Sequence, residues 1–257
     1  MNPTLYPPMN ALLDLLRENL QTVLGARLVG LYLYGSLVAG DFDAVSDIDL
    51  LAATSGELDA AAFDALDRMQ RDFVAQHPQW HDRIEIVYLS LQALRTFRTQ
   101  TSRVAVISPG EPFHFKEAGR EWLMNWYIVR EQGVTLLGPP PETLIDPIST
   151  DEFIQVVKEH VESWDKWVLD LRDTPGQAYA ILTLCRALYA CQHGQQASKR
   201  RAALWTAEAL PEWSETIQNA LRWRQESRTG IPTNPEATVA ETQRFVQAVR
   251  ARILTQP

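Results

Sequence analysis

The sequence predicts an α/β domain, a small mixed sheet with helices, over residues 1–148, followed by an all-α helical bundle over residues 149–257. Three observations carry that prediction. Strand-like runs at 28–34, 48–53 and 82–90 are confined to the first half and alternate with helical patterns. The run Gly138-Pro139-Pro140-Pro141, followed by Asp146-Pro147, breaks the chain where its composition changes. Beyond Asp151 the apolar residues recur at three- and four-residue steps with little strand signal.

In chain order, Met9, Leu12, Leu13, Leu16, Leu20 and Leu24 form one stripe of a helix that ends at Gly25. The strand at 28–34 runs into Gly35-Ser36, and a second strand at 48–53 follows after a loop. Leu58, Ala62, Leu66, Met69 and Phe73 predict a helix over 56–75, stopped at His77-Pro78. In the strand at 82–90, Ile84, Ile86 and Tyr88 share one face, Arg83, Glu85 and Val87 the other. The stretch 92–117 has no clear period beyond a turn at Pro109-Gly110. A helix over 121–132 carries Trp122 and Trp126. Five helices are then expected: 150–171, interrupted at Asp173-Thr174-Pro175-Gly176; 177–192, ending at Gly194; 199–209, capped by Ser198; 212–226; and 235–254. Cys185 and Cys191, six apart on one helix, face different ways, cannot pair, and are read as buried small residues.

The chemistry concentrates in 31–51, LYLYGSLVAGDFDAVSDIDLL. Side chains alternate along a strand, so Asp47 and Asp49 project together while Ile48 and Leu50 enter the core. Like charges so placed disfavour each other unless a cation lies between them. A hard divalent ion, Mg²⁺, suits one or two carboxylates plus phosphate oxygens. Gly35, lacking Cβ, lets backbone approach a phosphate, with Ser36 as donor. If the strand at 82–90 neighbours the Asp strand, about 5 Å away, Glu85 becomes a third carboxylate at the same point. Taken singly, Asp-x-Asp is most often a solvated strand end; strand, Gly-Ser and Asp-x-Asp in a second apolar strand together point to a nucleotide site.

Bulk properties bound the rest. At 257 residues, 46% hydrophobic and 22% charged, the chain is globular. No apolar run approaches bilayer-spanning length, and the start lacks a basic region ahead of an apolar one; a cytoplasmic protein with no membrane partner is expected. A formal net charge of −8 argues against a nucleic-acid partner and permits a cationic substrate. Five scattered histidines show no metal-ligand spacing. Lys199, Arg200 and Arg201 open a helix, where the free N–H groups already carry positive charge, so an anion such as a triphosphate is a natural partner for Lys199. Arg186, in mid-helix among apolar residues, is a second candidate.

The central motif resembles that of the DNA polymerase β-like nucleotidyltransferase superfamily. Together with 186–211, RALYACQHGQQASKRRAALWTAEALP, it is similar to the aminoglycoside (3'')(9) adenylyltransferases, which inactivate streptomycin and spectinomycin. The similarity covers nearly the whole chain. It implies an N-terminal nucleotidyltransferase domain; Mg²⁺ held by Asp47 and Asp49; Glu85 as catalytic base; Gly35, Ser36 and Ser46 at the ATP triphosphate; and Arg186 and Lys199 reaching the nucleotide. The family's Gly-Asp-Glu-Arg-Asn run before the Arg-bearing helix is replaced here by Thr174-Pro175-Gly176-Gln177-Ala178, leaving Asp173 the nearest acid. Trp164 or Trp167, and Trp122 after Glu121, correspond to the family's acceptor-side tryptophans. A monomer that transfers AMP from ATP to a hydroxyl of a small cationic acceptor, with release of pyrophosphate, is expected. Its rivals are adenylylation of a protein or RNA hydroxyl and a non-catalytic nucleotide-binding regulator. The complete Asp47, Asp49 and Glu85 set opposes the latter.

Overall fold

A computed structural model describes residues 3–162, 164, 168, 171, 173–226 and 236–256. The chain divides into two units, one running to Phe42 and from Ser46 to Ile148, the other taking Asp43–Val45 and the chain from Ser149.

The first unit is built on a six-stranded mixed sheet. Helix α1 (Pro7–Leu24) starts on a proline, whose missing N–H costs nothing in a first turn, and ends on Gly25 at φ 53°. Strand β1 (Leu28–Tyr34) leads through Gly35 into the single-turn helix α2 (Ser36–Ala39) and on to β2 (Ile48–Thr54). Helix α3 (Ala60–Gln76) crosses to β3 (Ile84–Ser90), which pairs with β2 in parallel. Parallel neighbours need such a crossover. After the short helix α4 (Leu91–Thr96), β4 (Ser102–Ser108) and β5 (Glu111–Ala118) form a hairpin. Helix α5 (Leu123–Gln132) then leads to β6 (Val134–Leu137). The strand order is β5-β4-β3-β2-β1-β6.

Register decides which side chains are core. Leu33 pairs with Leu50 and Leu50 with Ile86, and these, with Leu31, Ile48 and Ile84, pack against the leucine stripe of α1 and against Leu66 and Phe73 of α3. Each such side chain removed from water is worth about 1.5–3 kcal/mol. The one-residue alternation then sends Tyr34, Asp49 and Glu85 to the other face.

Several boundaries differ from the sequence-based expectation. Helix α3 begins at Ala60 because the Asp59 carboxylate accepts from the Ala62 N–H and caps it. The unassigned stretch 92–117 contains the β4–β5 hairpin, whose strands expose one side and show no clean period. A 3₁₀ turn, Arg120–Trp122, precedes α5.

The second unit, among the described residues, is helical: α6 (Thr150–Glu162), α7 (Thr174–His193), α8 (Lys199–Ala209), α9 (Ser214–Glu226) and α10 (Glu236–Leu254). The continuation of the first of these towards 171 lies largely outside the described residues. Helix α7 starts three residues before the expected 177, because Pro175 is tolerated in a first turn and Asp173 caps it. Its Gln177, fully buried, accepts from Thr238 and Thr242 of α10 at 2.9 and 2.8 Å. Cys185 is buried, which pushes its thiol up to about 12, while Cys191 is partly exposed; both are free.

Candidate active site

At one end of the sheet three strands present polar side chains in a row. Tyr34 lies opposite Asp49 across the antiparallel β1–β2 pair, and Asp49 opposite Glu85 across the parallel β2–β3 pair. Directly paired residues project to the same face, so both carboxylates stand side by side about 5 Å apart. Glu85 also accepts from the Ser108 hydroxyl, 3.2 Å from Oε2, at the end of β4. Tyr34 is buried, and burial, followed by the Glu85 and Asp49 charges, holds its hydroxyl protonated well above the usual range. Sequence reading missed Tyr34 and Ser108. The first could have been found from its place immediately before Gly35; the second depends on a hairpin register that no local pattern announces.

Gly35 adopts φ 75° and closes against Asp49, such that a Cβ there would fall 1.9 Å from Asp49 Oδ2. The glycine is thus required both by its backbone and by the carboxylate lying over it. Ser36 opens α2, and Ala39 N–H returns to the Gly35 carbonyl at 3.0 Å. Ser46 is buried, and its carbonyl accepts both Nε and Nη2 of Arg83, at 3.1 and 2.6 Å. Asp47 follows, one residue ahead of β2.

Among the described residues no three His, Cys, Asp or Glu side chains form a group that could hold a metal ion. Mg²⁺ does not require such a group, since it keeps waters and takes phosphate oxygens beside one or two carboxylates. The hard oxygen donors of Asp47 and Asp49, next to a glycine turn, fit that ion in kind.

In the second unit, Lys199 of α8 lies close to Tyr179 of α7, on the helix face that also carries Arg186. Tyr179 is seven residues before Arg186, two helical turns, and so on the same face; Lys199 Nζ sits 6.0 Å from the centroid of its ring. With its amide oriented to satisfy both groups, Gln196 accepts from Arg186 Nε at 2.9 Å and from Nη2. Tyr179 is 49% exposed and was not singled out from sequence, though its spacing from Arg186 was there to read.

The residues expected on the acceptor side have structural partners. Trp164 is only 5% exposed, packed edge-on to His160 and stacked on Tyr179. Trp167 lies outside the described residues. Asp173 accepts from Gly176 N–H at 2.7 Å as the cap of α7. Trp122, in the first unit, stacks on Trp126 at 5.6 Å beneath Lys116.

Residues 143–250 match the family model for the C-terminal domain of aminoglycoside adenylyltransferase. An aminoglycoside (3'')(9) adenylyltransferase of Klebsiella pneumoniae is 26% identical over 196 residues, 72% of either chain. One from Rhizobium radiobacter is 32% identical over 85 residues, 32% of this chain and 29% of that one. In architecture the chain is similar to the crystal structure of spectinomycin adenyltransferase AAD(9) from Enterococcus faecialis with ATP and spectinomycin, at TM-score 0.73 and 19% identity, over 93% of this chain and 97% of that one. The chain is thus similar to aminoglycoside (3'')(9) adenylyltransferases by family model over much of its helical unit and by sequence over 72% of its length, and it shares its fold with a spectinomycin adenyltransferase.

Proposed function

We propose that this protein transfers AMP from ATP to a hydroxyl of a small cationic aminocyclitol, streptomycin or spectinomycin, releasing pyrophosphate. The observation that carries the reading is the register that sets Glu85 beside Asp49 at the Gly35 turn. Glu85 takes the proton of the acceptor hydroxyl as its oxygen attacks the α-phosphorus. A new O–P bond forms, the bond to the bridging oxygen of the β-phosphate breaks, and pyrophosphate leaves with that electron pair. Asp47 and Asp49 would hold Mg²⁺, which when bound neutralises charge on the phosphates and polarises them. Gly35, Ser36 and Ser46 lie along the phosphates, and Arg186 and Lys199 contribute cationic contacts to the nucleotide. The net charge of −8 supports a cationic acceptor.

The test is labelled ATP with each drug, scored for adenylylated product and pyrophosphate, beside drug resistance on expression. Product with either drug is expected; none with both, and no resistance, overturns the choice of acceptor. Glu85→Gln should keep ATP affinity and lose roughly 10²-fold or more in rate. Equal losses in both would make it a ligand rather than a base.

A further inference from the structure

Asp47 stands on backbone that the sheet does not hold. The β2–β3 ladder begins at the Ile48–Ile84 pair, so Asp47 lies one residue outside it, at the end of a loop. Both peptide groups flanking it are nonetheless tied, and to a single residue. The Ser46 carbonyl accepts Arg83 Nε and Nη2 at 3.1 and 2.6 Å, and the Ile48 N–H donates to the Arg83 carbonyl at 2.8 Å. Arg83 is itself fixed from several sides. Its N–H donates to the Trp80 carbonyl at 3.2 Å, and its guanidinium lies 4.6 Å from the Trp80 ring centroid and 5.9 Å from that of Phe42. Those rings are 6.4 Å apart, and Phe42 in turn meets Tyr6 at 6.0 Å. A planar fork that can close on one carbonyl while its faces rest on aromatic rings is a property of arginine that lysine does not share.

From this geometry we infer that Arg83 is a positioning residue for the metal-binding loop: it sets the two peptide planes around Asp47 and, two residues before Glu85 in sequence, keys the loop to the strand that carries the base. The inference rests on the reading of Asp47 as a Mg²⁺ ligand. Misaligning a ligand through its supporting contacts characteristically costs 10–100-fold in metal affinity.

The experiment titrates Mn²⁺, followed by its electron paramagnetic resonance signal, into protein saturated with α,β-methylene ATP, which does not turn over. Arg83→Gln should weaken Mn²⁺ at least about tenfold and raise the Mg²⁺ concentration for half-maximal rate in proportion. Arg83→Lys, which keeps the charge but loses the fork, and Trp80→Leu, which removes one wall, should each weaken Mn²⁺ by a smaller factor, about threefold or more. These milder variants carry the test if Arg83→Gln does not fold. A folded Arg83→Gln protein with lowered thermal stability and unchanged Mn²⁺ affinity would make the contact merely structural and overturn the inference. So would unchanged affinity in both milder variants where Arg83→Gln cannot be studied. Asp47→Asn separates the two levels. If it weakens Mn²⁺ while the Arg83 variants do not, this inference alone fails; if it leaves Mn²⁺ binding unchanged, the metal reading fails with it.

Discussion

At the residue scale the site is held by exclusions as much as by attractions. Gly35 admits the Asp49 carboxylate because it has no Cβ, and its φ of 75° is one that other residues adopt only under strain. Gly35→Ala should therefore act twice. Strain of about 1–3 kcal/mol lowers stability, and the Cβ, 1.9 Å from Asp49 Oδ2, forces that carboxylate aside. A displacement of about 1 Å at reacting groups can cost about 10²-fold in rate. The expected outcome is a folded, less stable protein with a rate loss far larger than its loss of ATP affinity; near-native turnover would mean that Asp49 does not need its present position. Ser108 is the converse case, an attraction from outside the motif. Its hydroxyl, 3.2 Å from Glu85 Oε2, holds the carboxylate from the β4 side.

Elements show why some of this was legible in the sequence and some was not. Apolar alternation in 28–34, 48–53 and 82–90 reads directly because β1, β2 and β3 lie at the middle of the sheet and each buries a face against α1 and α3. That same alternation is what puts Glu85 on the side of Asp49. Strands β4 and β5 lie towards one edge, with β5 half solvated, and their pattern is correspondingly mixed. The starts of α3 and α7 depart from the apolar period because the side chains of Asp59 and Asp173 cap them, whereas the Ser198 cap of α8 stands where the sequence places it. The clamp at Ser46 was out of reach, since it needs Phe42, Trp80 and Arg83 brought together in space. Asp173 gives a prediction at this scale. Asp173→Ala should cost about 1 kcal/mol of stability through loss of the α7 cap, and Asp173→Asn, which also caps well, should recover most of it. Thermal unfolding checks both; a loss in Asn equal to that in Ala would mean that the charge, not the cap, matters. Helix α6 supplies another. Burial lowers the pKa of His160 from its usual 6.5, so between those two values the unfolded chain binds more protons than the native one. The stability this contributes is complete above about pH 6.5 and is lost as pH falls through the lowered value. His160→Phe should accordingly flatten the fall in melting temperature between about pH 7 and pH 5, and an unchanged slope would refute the assignment.

For the whole molecule the question is what an acidic protein would gain if, as proposed, its two substrates carry opposite charges. With a formal net charge of −8, its field would repel ATP and attract the proposed cationic acceptor over distances set by salt. The Debye length falls from about 30 Å at 0.01 M to about 8 Å at 0.15 M ionic strength. Contacts inside a closed site are screened much less, so salt acts mainly on the long-range part. The acceptor dissociation constant, measured calorimetrically on the α,β-methylene ATP complex, should therefore rise roughly tenfold over that range. ATP affinity at saturating Mg²⁺ should hold steady or improve slightly, because the same screening relieves its repulsion. The opposite signs are what make the measurement decisive. A uniform loss for both ligands would report a general effect of salt on the protein, and an acceptor affinity indifferent to salt would mean that the charge of the molecule has no part in choosing its substrate.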